Sequence, residues 1–327
     1  NGVNKYREAF IAFGWKAGNT WESNYEGSIP SVINANTANG FSIISYRGTG
    51  ASSQSVGHGL NSTPELVMIK KVSGTEGWIV WGPGFGTSNW LDLTSTANYD
   101  PDNAAWGGTH SSTVVNLQNS GAARSGADGQ EYIAYVFHSV SNFSKIGTYS
   151  GSGSAVTINA GFAVDFVMIK NVDADGSQWM MLDTKRENGK AIYGNQDSAQ
   201  SDYTTDILLT SQGLRFVSNN INVNRSGETY VYMAFAKNVP SNTTLANSFN
   251  AAFYAGSNDT DASTTQRTIS GLGFRPDFLW IKRTDGSEAH FLQDSIRGSK
   301  ATIYSHNTAG EYIEHRGVQN FNEDGYS

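Results

Sequence analysis

The feature that most limits what this chain can fold into is repetition: three separate phrases recur along it. One reads Pro64-Glu-Leu-Val-Met-Ile-Lys-Lys71, then Val164-Asp-Phe-Val-Met-Ile-Lys-Asn171, then Pro276-Asp-Phe-Leu-Trp-Ile-Lys-Arg283. A second reads Tyr132-Ile-Ala-Tyr-Val-Phe137 and Tyr230-Val-Tyr-Met-Ala-Phe235, with an echo at Phe10-Ile-Ala-Phe-Gly-Trp15. The third is Tyr46-x-Gly48, Tyr149-x-Gly151 and Tyr254-x-Gly256. A period of about 100 residues is long enough for each copy to be a module with its own core. Arrays of this kind serve reach, spacing or multivalent contact more often than one deep active site.

The local pattern is that of strands. Phe41–Tyr46, Leu66–Ile69, Trp78–Trp81, Thr113–Leu117 and Tyr132–Phe137 are short runs rich in β-branched and aromatic residues, fenced by Gly, Ser and Asn. No segment sustains a helical apolar stripe. The expected class is therefore all-β: tandem antiparallel β-sandwich modules, jelly-roll-like, of about 100 residues each. Aligning the phrases sets module one at 40–140, module two at 141–240 and module three at 247–327. Residues 19–39 read as an extended linker. Residues 1–18 read as the closing strand of a preceding module, or as a swapped strand, and module three ends without a closing strand of its own. The simplest expectation is a segment cut from a longer array. The alternative is that the N-terminal strand completes module three, in the same or a neighbouring subunit, and covers its open edge.

Composition narrows the function classes. Charged residues make up 16% of the chain, against about 25% in an average globular protein. The formal net charge of −7 argues against a broad basic face for nucleic acid and against attraction to an anionic membrane. There is no cysteine, which excludes disulfides and thiolate metal sites. No apolar run approaches the ~18–20 residues that cross a bilayer as a helix. The chain carries no G-x-S-x-G elbow, H-E-x-x-H pair, P-loop or G-x-G-x-x-G turn. The expectation is a non-enzymatic protein without cofactor or metal, although a carboxylate pair of glycosidase type needs no sequence motif. Asp173-Ala-Asp-Gly-Ser177 has part of a calcium loop but lacks the later glutamate, and reads as a surface turn.

Residues that recur in every module serve the fold. The aromatics Tyr132/Tyr230, Phe137/Phe235 and Trp78/Trp179 read as core. The Ile-Lys pairs, on period-two alternation, read as isoleucine inward and lysine outward. Asp183-Thr-Lys-Arg186 and Asp294-Ser-Ile-Arg297 read as turns braced by an Asp–Arg pair, which module one replaces with Gly82-Pro-Gly-Phe-Gly86. Unrepeated residues are the better place to seek function. Module one carries an insertion containing Trp90, Tyr99, Asp100, Asp102, Asn103, Trp106 and His110. Flat rings beside carboxylates and amides suit a glycan, the ring covering the sugar's apolar face while the polar groups take its hydroxyls. The other reading of the same rings is a plug beneath the loop, or part of an intersubunit contact. The stretch from Ile303 to Arg316 in module three invites the same two readings.

The block Trp15-Lys-Ala-Gly18, Asn36-Thr-Ala-Asn-Gly-Phe-Ser-Ile43, Tyr46-x-Gly-Thr-Gly50, Gly57-His-Gly-Leu60 and Pro64–Lys70 resembles the repeat modules of tail fibre and other virion structural proteins of tailed, especially marine, bacteriophages. The likeness is strongest over 36–81; in the later modules Gly-His-Gly-Leu becomes Asn159-Ala-Gly-Phe162 and Gly271-Leu-Gly-Phe274. It implies a β-rich virion appendage, commonly a homotrimer, that works in host attachment beside other virion proteins, with a host surface glycan as a candidate partner. Capsid head fibres or decoration proteins are the alternative placement. The resemblance carries no site motif.

Overall fold

Runs of β-branched and aromatic residues punctuated by glycine become strands from one end of the chain to the other. The computed structural model describes residues 2–18, 20–99, 106–119, 125–236, 248–257 and 267–327, and every regular element in them is a β-strand. The chain opens with β1 (Ala9–Trp15). Module one follows with β2 (Glu22–Asn24), β3 (Ser31–Asn36), β4 (Phe41–Arg47), β5 (Gln54–Gly57), β6 (Leu66–Lys71), β7 (Trp78–Trp81), β8 (Val114–Leu117) and β9 (Glu131–Phe137). Its main sheet has the order β2-β3-β4-β9-β6-β7, and β5 pairs with β8 in a small second sheet.

Module two comprises β10 (Ser144–Ser150), β11 (Val156–Asn159), β12 (Val164–Asn171), β13 (Met180–Asp183), β14 (Lys190–Tyr193), β15 (Ser201–Asp202), β16 (Ile207–Leu209), β17 (Gly213–Phe216) and β18 (Thr229–Ala236). These form sheets β10-β18-β12-β13-β14-β15 and β11-β17-β16. Module three has β19 (Phe249–Ala255), β20 (Ile269–Ser270), β21 (Phe278–Arg283), β22 (His290–Asp294), β23 (Ala301–Thr302), β24 (Tyr312–Ile313), β25 (Phe321–Asn322) and β26 (Gly325–Tyr326). Its main sheet is β19-β1-β21-β22, with β20-β26-β25 and β23-β24 beside it.

That order settles the role of the N-terminal strand. β1 lies antiparallel between β19 and β21, pairing Phe10 with Tyr254 and Trp15 with Phe249. β9 holds the same place between β4 and β6, pairing Tyr132 with Tyr46 and Phe137 with Phe41. β18 does so between β10 and β12, pairing Tyr230 with Tyr149. The closing strand of module three is thus supplied from the other end of the same chain, rather than belonging to a preceding module. Without it two facing strands would have unpaired backbone edges in the middle of a sheet, the condition that strand pairing removes. The expected linker is also structured: β2 and β3 form a hairpin that extends module one's sheet beyond β4.

The recurring Tyr-x-Gly phrase locks this arrangement. The hydroxyls of Tyr46, Tyr149 and Tyr254 donate to the carbonyls of Ser125, Val223 and Val3, each at 2.7 Å. Those carbonyls lie in the segment leading into the closing strand. A Cβ on Gly48, Gly151 or Gly256 would land on the carbonyl oxygen of Ala127, Arg225 or Lys5 respectively. Glycine is needed at all three because the two backbones touch.

Each main sheet is buried on both faces. One face packs on its own small sheet: Val67, Ile69 and Tyr132 against Val56 and Leu117 in module one, and Val167, Ile169 and Tyr230 against Leu214 and Phe216 in module two. Phe10, Leu279 and Ile281 meet Ile269 and Tyr326 in module three. These are the expected sandwiches. The opposite faces converge on one central core drawn from all three modules. Trp15, Phe137 and Phe235, at or next to the ends of the three closing strands, meet there with ring centroids 6.4, 6.3 and 5.8 Å apart. These faces are buried between modules of one chain.

Two-sided burial overturns the expected direction of the lysines. Leu66, Met68 and Lys70 share one face of β6, while Val67 and Ile69 share the other. Isoleucine does point into its sandwich, but lysine points into the junction between modules, and Lys70, Lys170 and Lys282 are all fully buried.

Candidate functional site

The inward lysines lie where one module hands a loop to the next. Lys70 Nζ donates to the carbonyl of Thr308, from module three, at 2.9 Å, and also to the carbonyl of Glu76. Lys170 Nζ reaches Thr96 O, from module one, at 3.3 Å, and Ser177 O and Oγ at 3.1 and 2.7 Å. Lys282 Nζ donates to the carbonyls of Arg283 and Gly286, and Asp197 of module two lies in its field. Burial pushes Lys70 and Lys282 down to about 8 and Lys170 to about 7.

The ring beside each lysine makes a matching contact. Trp78 Nε1 donates to Tyr304 O at 2.8 Å, and Trp179 Nε1 to Asp92 O at 3.1 Å. In module three the position falls to His290, whose Nδ1 accepts from Trp280 Nε1 at 2.8 Å. That leaves the proton on Nε2, which donates to Gln196 O at 2.9 Å. Module three therefore grips module one, module one grips module two, and module two grips module three. At all three seams the lysines and ring N–H groups are spent on hydrogen bonds that fasten the modules.

The Asp–Arg turns brace as expected. Arg186 Nε donates to Asp183 Oδ2 at 2.7 Å, and Arg297 Nε to Asp294 Oδ2 at 2.5 Å. They also face a neighbouring module. Tyr135 of module one donates to Asp294 Oδ2 at 2.8 Å and receives Arg297 Nη2 at 3.3 Å. The recurring acid before the third strand has a comparable duty. Glu65 accepts the amide of Ser139 at 2.5 Å, and Asp277 accepts the amide of Ala17 at 2.9 Å, capping the chain just past β9 and β1. Asp277 also receives Asn34 Nδ2 of the β2–β3 hairpin at 3.1 Å. Burial raises its carboxyl above the ordinary range.

The insertion proposed for glycan contact turns its rings inward. Trp90 and Trp106 are 7% and 3% exposed and belong to module one's sandwich core. Trp106 Nε1 donates to Asn89 O at 3.1 Å. His110 is buried edge-on to Trp81 and Trp106, at 4.5 and 5.1 Å, and burial pushes it down to about 3. Tyr99 packs edge-on to Phe85 at 4.6 Å, and its amide donates to Val172 O of module two. Asp100, Asp102 and Asn103 lie outside the described residues. The faces that a sugar would need on Trp90 and Trp106 are occupied by protein, which is the plug reading of these rings.

The insertion also clasps module two. Asn98 N donates to Asp175 Oδ1 at 3.0 Å, and Gly176 N to Thr96 O at 3.0 Å. Asp173 Oδ2 accepts Thr229 N at 2.6 Å. The acidic turn 173–177 thus spends oxygens on backbone amides. Among the described residues no three His, Cys, Asp or Glu side chains gather as metal ligands.

Two surface features remain. A shallow cleft of about 390 Å³ in module two is lined by residues including Thr184, Arg186, Asn188 and Ser211. Its arginine is already engaged with Asp183 and Gln200. Tyr312 and Ile313 on β24 are half exposed, so part of the 303–316 stretch faces solvent, while Ile303 and Tyr304 pack inward.

The chain belongs to a family described as a domain of unknown function, DUF7483, matched over residues 1–239 and 245–327. No curated protein and no solved structure matches it.

Proposed function

We propose that this chain is a non-catalytic scaffold of a bacteriophage virion appendage, a tail fibre component that supports host attachment alongside other virion proteins. The observation that carries the reading is how the repeated residues are used. The lysines, seam rings, Asp–Arg braces and Tyr-x-Gly turns hold three sandwiches around one core, and this leaves a rigid body whose loops and edges face outward. A rigid body with peripheral loops suits presentation and multivalent contact. The resemblance of the 36–81 block to phage virion repeats supplies the setting. Any homo-oligomer would assemble through surfaces other than the module faces, since those are buried within the chain.

Immunogold labelling of intact particles with antibody against the chain tests the placement. Gold on tail-proximal fibres is the expected result; gold on the capsid shell would move the protein to a head fibre or decoration role. Unlabelled particles would remove the virion reading. Competition of particle adsorption by the purified chain tests the attachment role separately.

A further inference from the structure

Internal repetition sorts the surface as well as the core. At the edge beside the first strand, β10 and β19 are outermost in their main sheets among the described residues, whereas module one adds the β2–β3 hairpin there. This unrepeated hairpin carries the two most exposed large aromatics of the described chain, Trp21 at 61% and Tyr25 at 74%. They flank β2, one residue before it and one after, four residues and about 13 Å apart along the chain.

The backbone beneath them is fixed. Ser28 N donates to Ser55 Oγ at 3.0 Å and Ser55 N returns a bond to Ser28 Oγ at 2.9 Å. Ile29 N donates to Ser55 O at 2.9 Å, and a Cβ on Gly27 would overlap that same carbonyl. Ile29 and Ile33 bury themselves in the module one core. The rings are therefore held out on an anchored edge, and a ligand would meet them with little ordering cost.

We propose that Trp21 and Tyr25 form a contact strip for a neutral, hydroxyl-rich oligosaccharide. The chemistry around the rings selects that class. Residues 20–30 contain Glu22 and Glu26 but no Lys, Arg or His, so the stretch itself carries negative charge, which disfavours phosphate, sulfate or an acidic sugar. Flat rings cover the apolar faces of pyranoses, while the Ser23 hydroxyl between them pairs with sugar hydroxyls. A single exposed aromatic is ordinary on a protein surface. Two flanking one strand of an anchored hairpin that the sister modules lack are a different matter. The proposal rests on the host-attachment reading for its biological setting only.

The test is an array of neutral and acidic oligosaccharides probed with the wild-type chain, Trp21→Ala, Tyr25→Ala, the double variant and Tyr25→Phe. Both side chains are exposed, so the thermal midpoint serves as a folding control and should stay put. The expected result is retention on neutral glycans, at least tenfold weaker in each alanine variant and kept by Tyr25→Phe. Binding should also shield Trp21 from iodide quenching. Retention confined to acidic glycans, no retention at all, or a double variant that binds within twofold of wild type would each overturn the proposal. Binding of the wild-type chain to whole bacterial cells is measured in parallel. Absent cell binding sinks the attachment reading, whereas cell binding untouched by the double variant sinks the strip alone.

Discussion

Phe13→Tyr should stabilise this protein, which is unusual for a hydroxyl added to a core. Phe13 and Tyr135 hold the same position in β1 and β9: Phe13 pairs with Trp280, and Tyr135 with Met68. Each ring packs on the first paired residue of the neighbouring module's Asp-bearing strand pair, Phe13 tilted against Phe166 at 4.6 Å and Tyr135 stacked on Phe278 at 4.2 Å. At the module one–three seam the Tyr135 hydroxyl serves Asp294 and Arg297. At the equivalent place in the module three–two seam, Phe13 offers no hydroxyl. There Arg186 Nη2 lies 2.6 Å from Asp183 Oδ2, close enough for an ion pair, yet it is buried without an aligned hydrogen bond.

A new hydrogen bond to a buried charged donor contributes about 1.5–3 kcal/mol. Against this stands the cost of desolvating the phenol, about 1–3 kcal/mol on mutational scales. The net expectation is a gain of about 1 kcal/mol, read as a higher midpoint in guanidinium unfolding with unchanged slope. The mirror substitution Tyr135→Phe should lose about 1–2 kcal/mol, because Asp294 and Arg297 lose a partner. A Phe13→Tyr variant destabilised by more than about 1 kcal/mol, beside a neutral Tyr135→Phe, would refute the equivalence of the seams.

Other outcomes follow from the same geometry. The buried lysines titrate near 7 to 8 when folded, against an ordinary 10.5. Between those values the unfolded chain binds more protons, so stability should rise from about pH 7 to pH 10 and fall as pH drops back through the folded values. Above pH 10 it should decline, because burial lifts the phenols of Tyr46, Tyr135, Tyr149 and Tyr326 well above 10. Guanidinium midpoints from pH 6 to 11 check this, and a steady fall from 7 to 10 would contradict neutral lysines. Trp106→Ala should cost about 3–5 kcal/mol, as for a core tryptophan; a thermal midpoint unchanged from wild type would return that ring to the surface. Gly256→Ala, whose Cβ would land on the Lys5 carbonyl oxygen, should be worse than Gly84→Ala, whose Cβ meets open space and whose cost is that of its positive φ alone. Equal losses in thermal melts would mean that Lys5 does not press on Gly256.

Much of the fold was legible because it is written in periods. Glycine-fenced β runs identified the strands, and the second phrase identified the closing strands. Phe10–Trp15 matched that phrase although module three stands at the far end of the chain. Its partner could not be chosen from sequence, since strand pairing depends on proximity in space and the same echo fits a preceding module equally well. The lysines were misplaced by a one-face assumption. Leu66-Val-Met-Ile69 does not alternate apolar with polar, and an unbroken apolar run is the mark of a strand buried on both faces. That signal was available. Trp90 and Trp106 were harder, because a ring in loop-like sequence reads alike whether it caps a core or waits for a ligand. The Trp21 strip is hidden in the sequence because 19–39 lacks long apolar runs and reads as a linker, although Ile29 and Ile33 already alternate toward a core.

The central claim is that one chain closes its own ring by returning β1 to module three. Ala12 and Ala252 face each other across β1 and β19, and the chain has no native cysteine to interfere. The double variant Ala12→Cys/Ala252→Cys, oxidised at low concentration and run on a non-reducing gel, reads the closure directly. The account predicts a single intramolecular disulfide at monomer mass. Disulfide-linked dimers or ladders would mean that the strand closes a neighbour, and two persistent free thiols would mean that β1 does not lie beside β19.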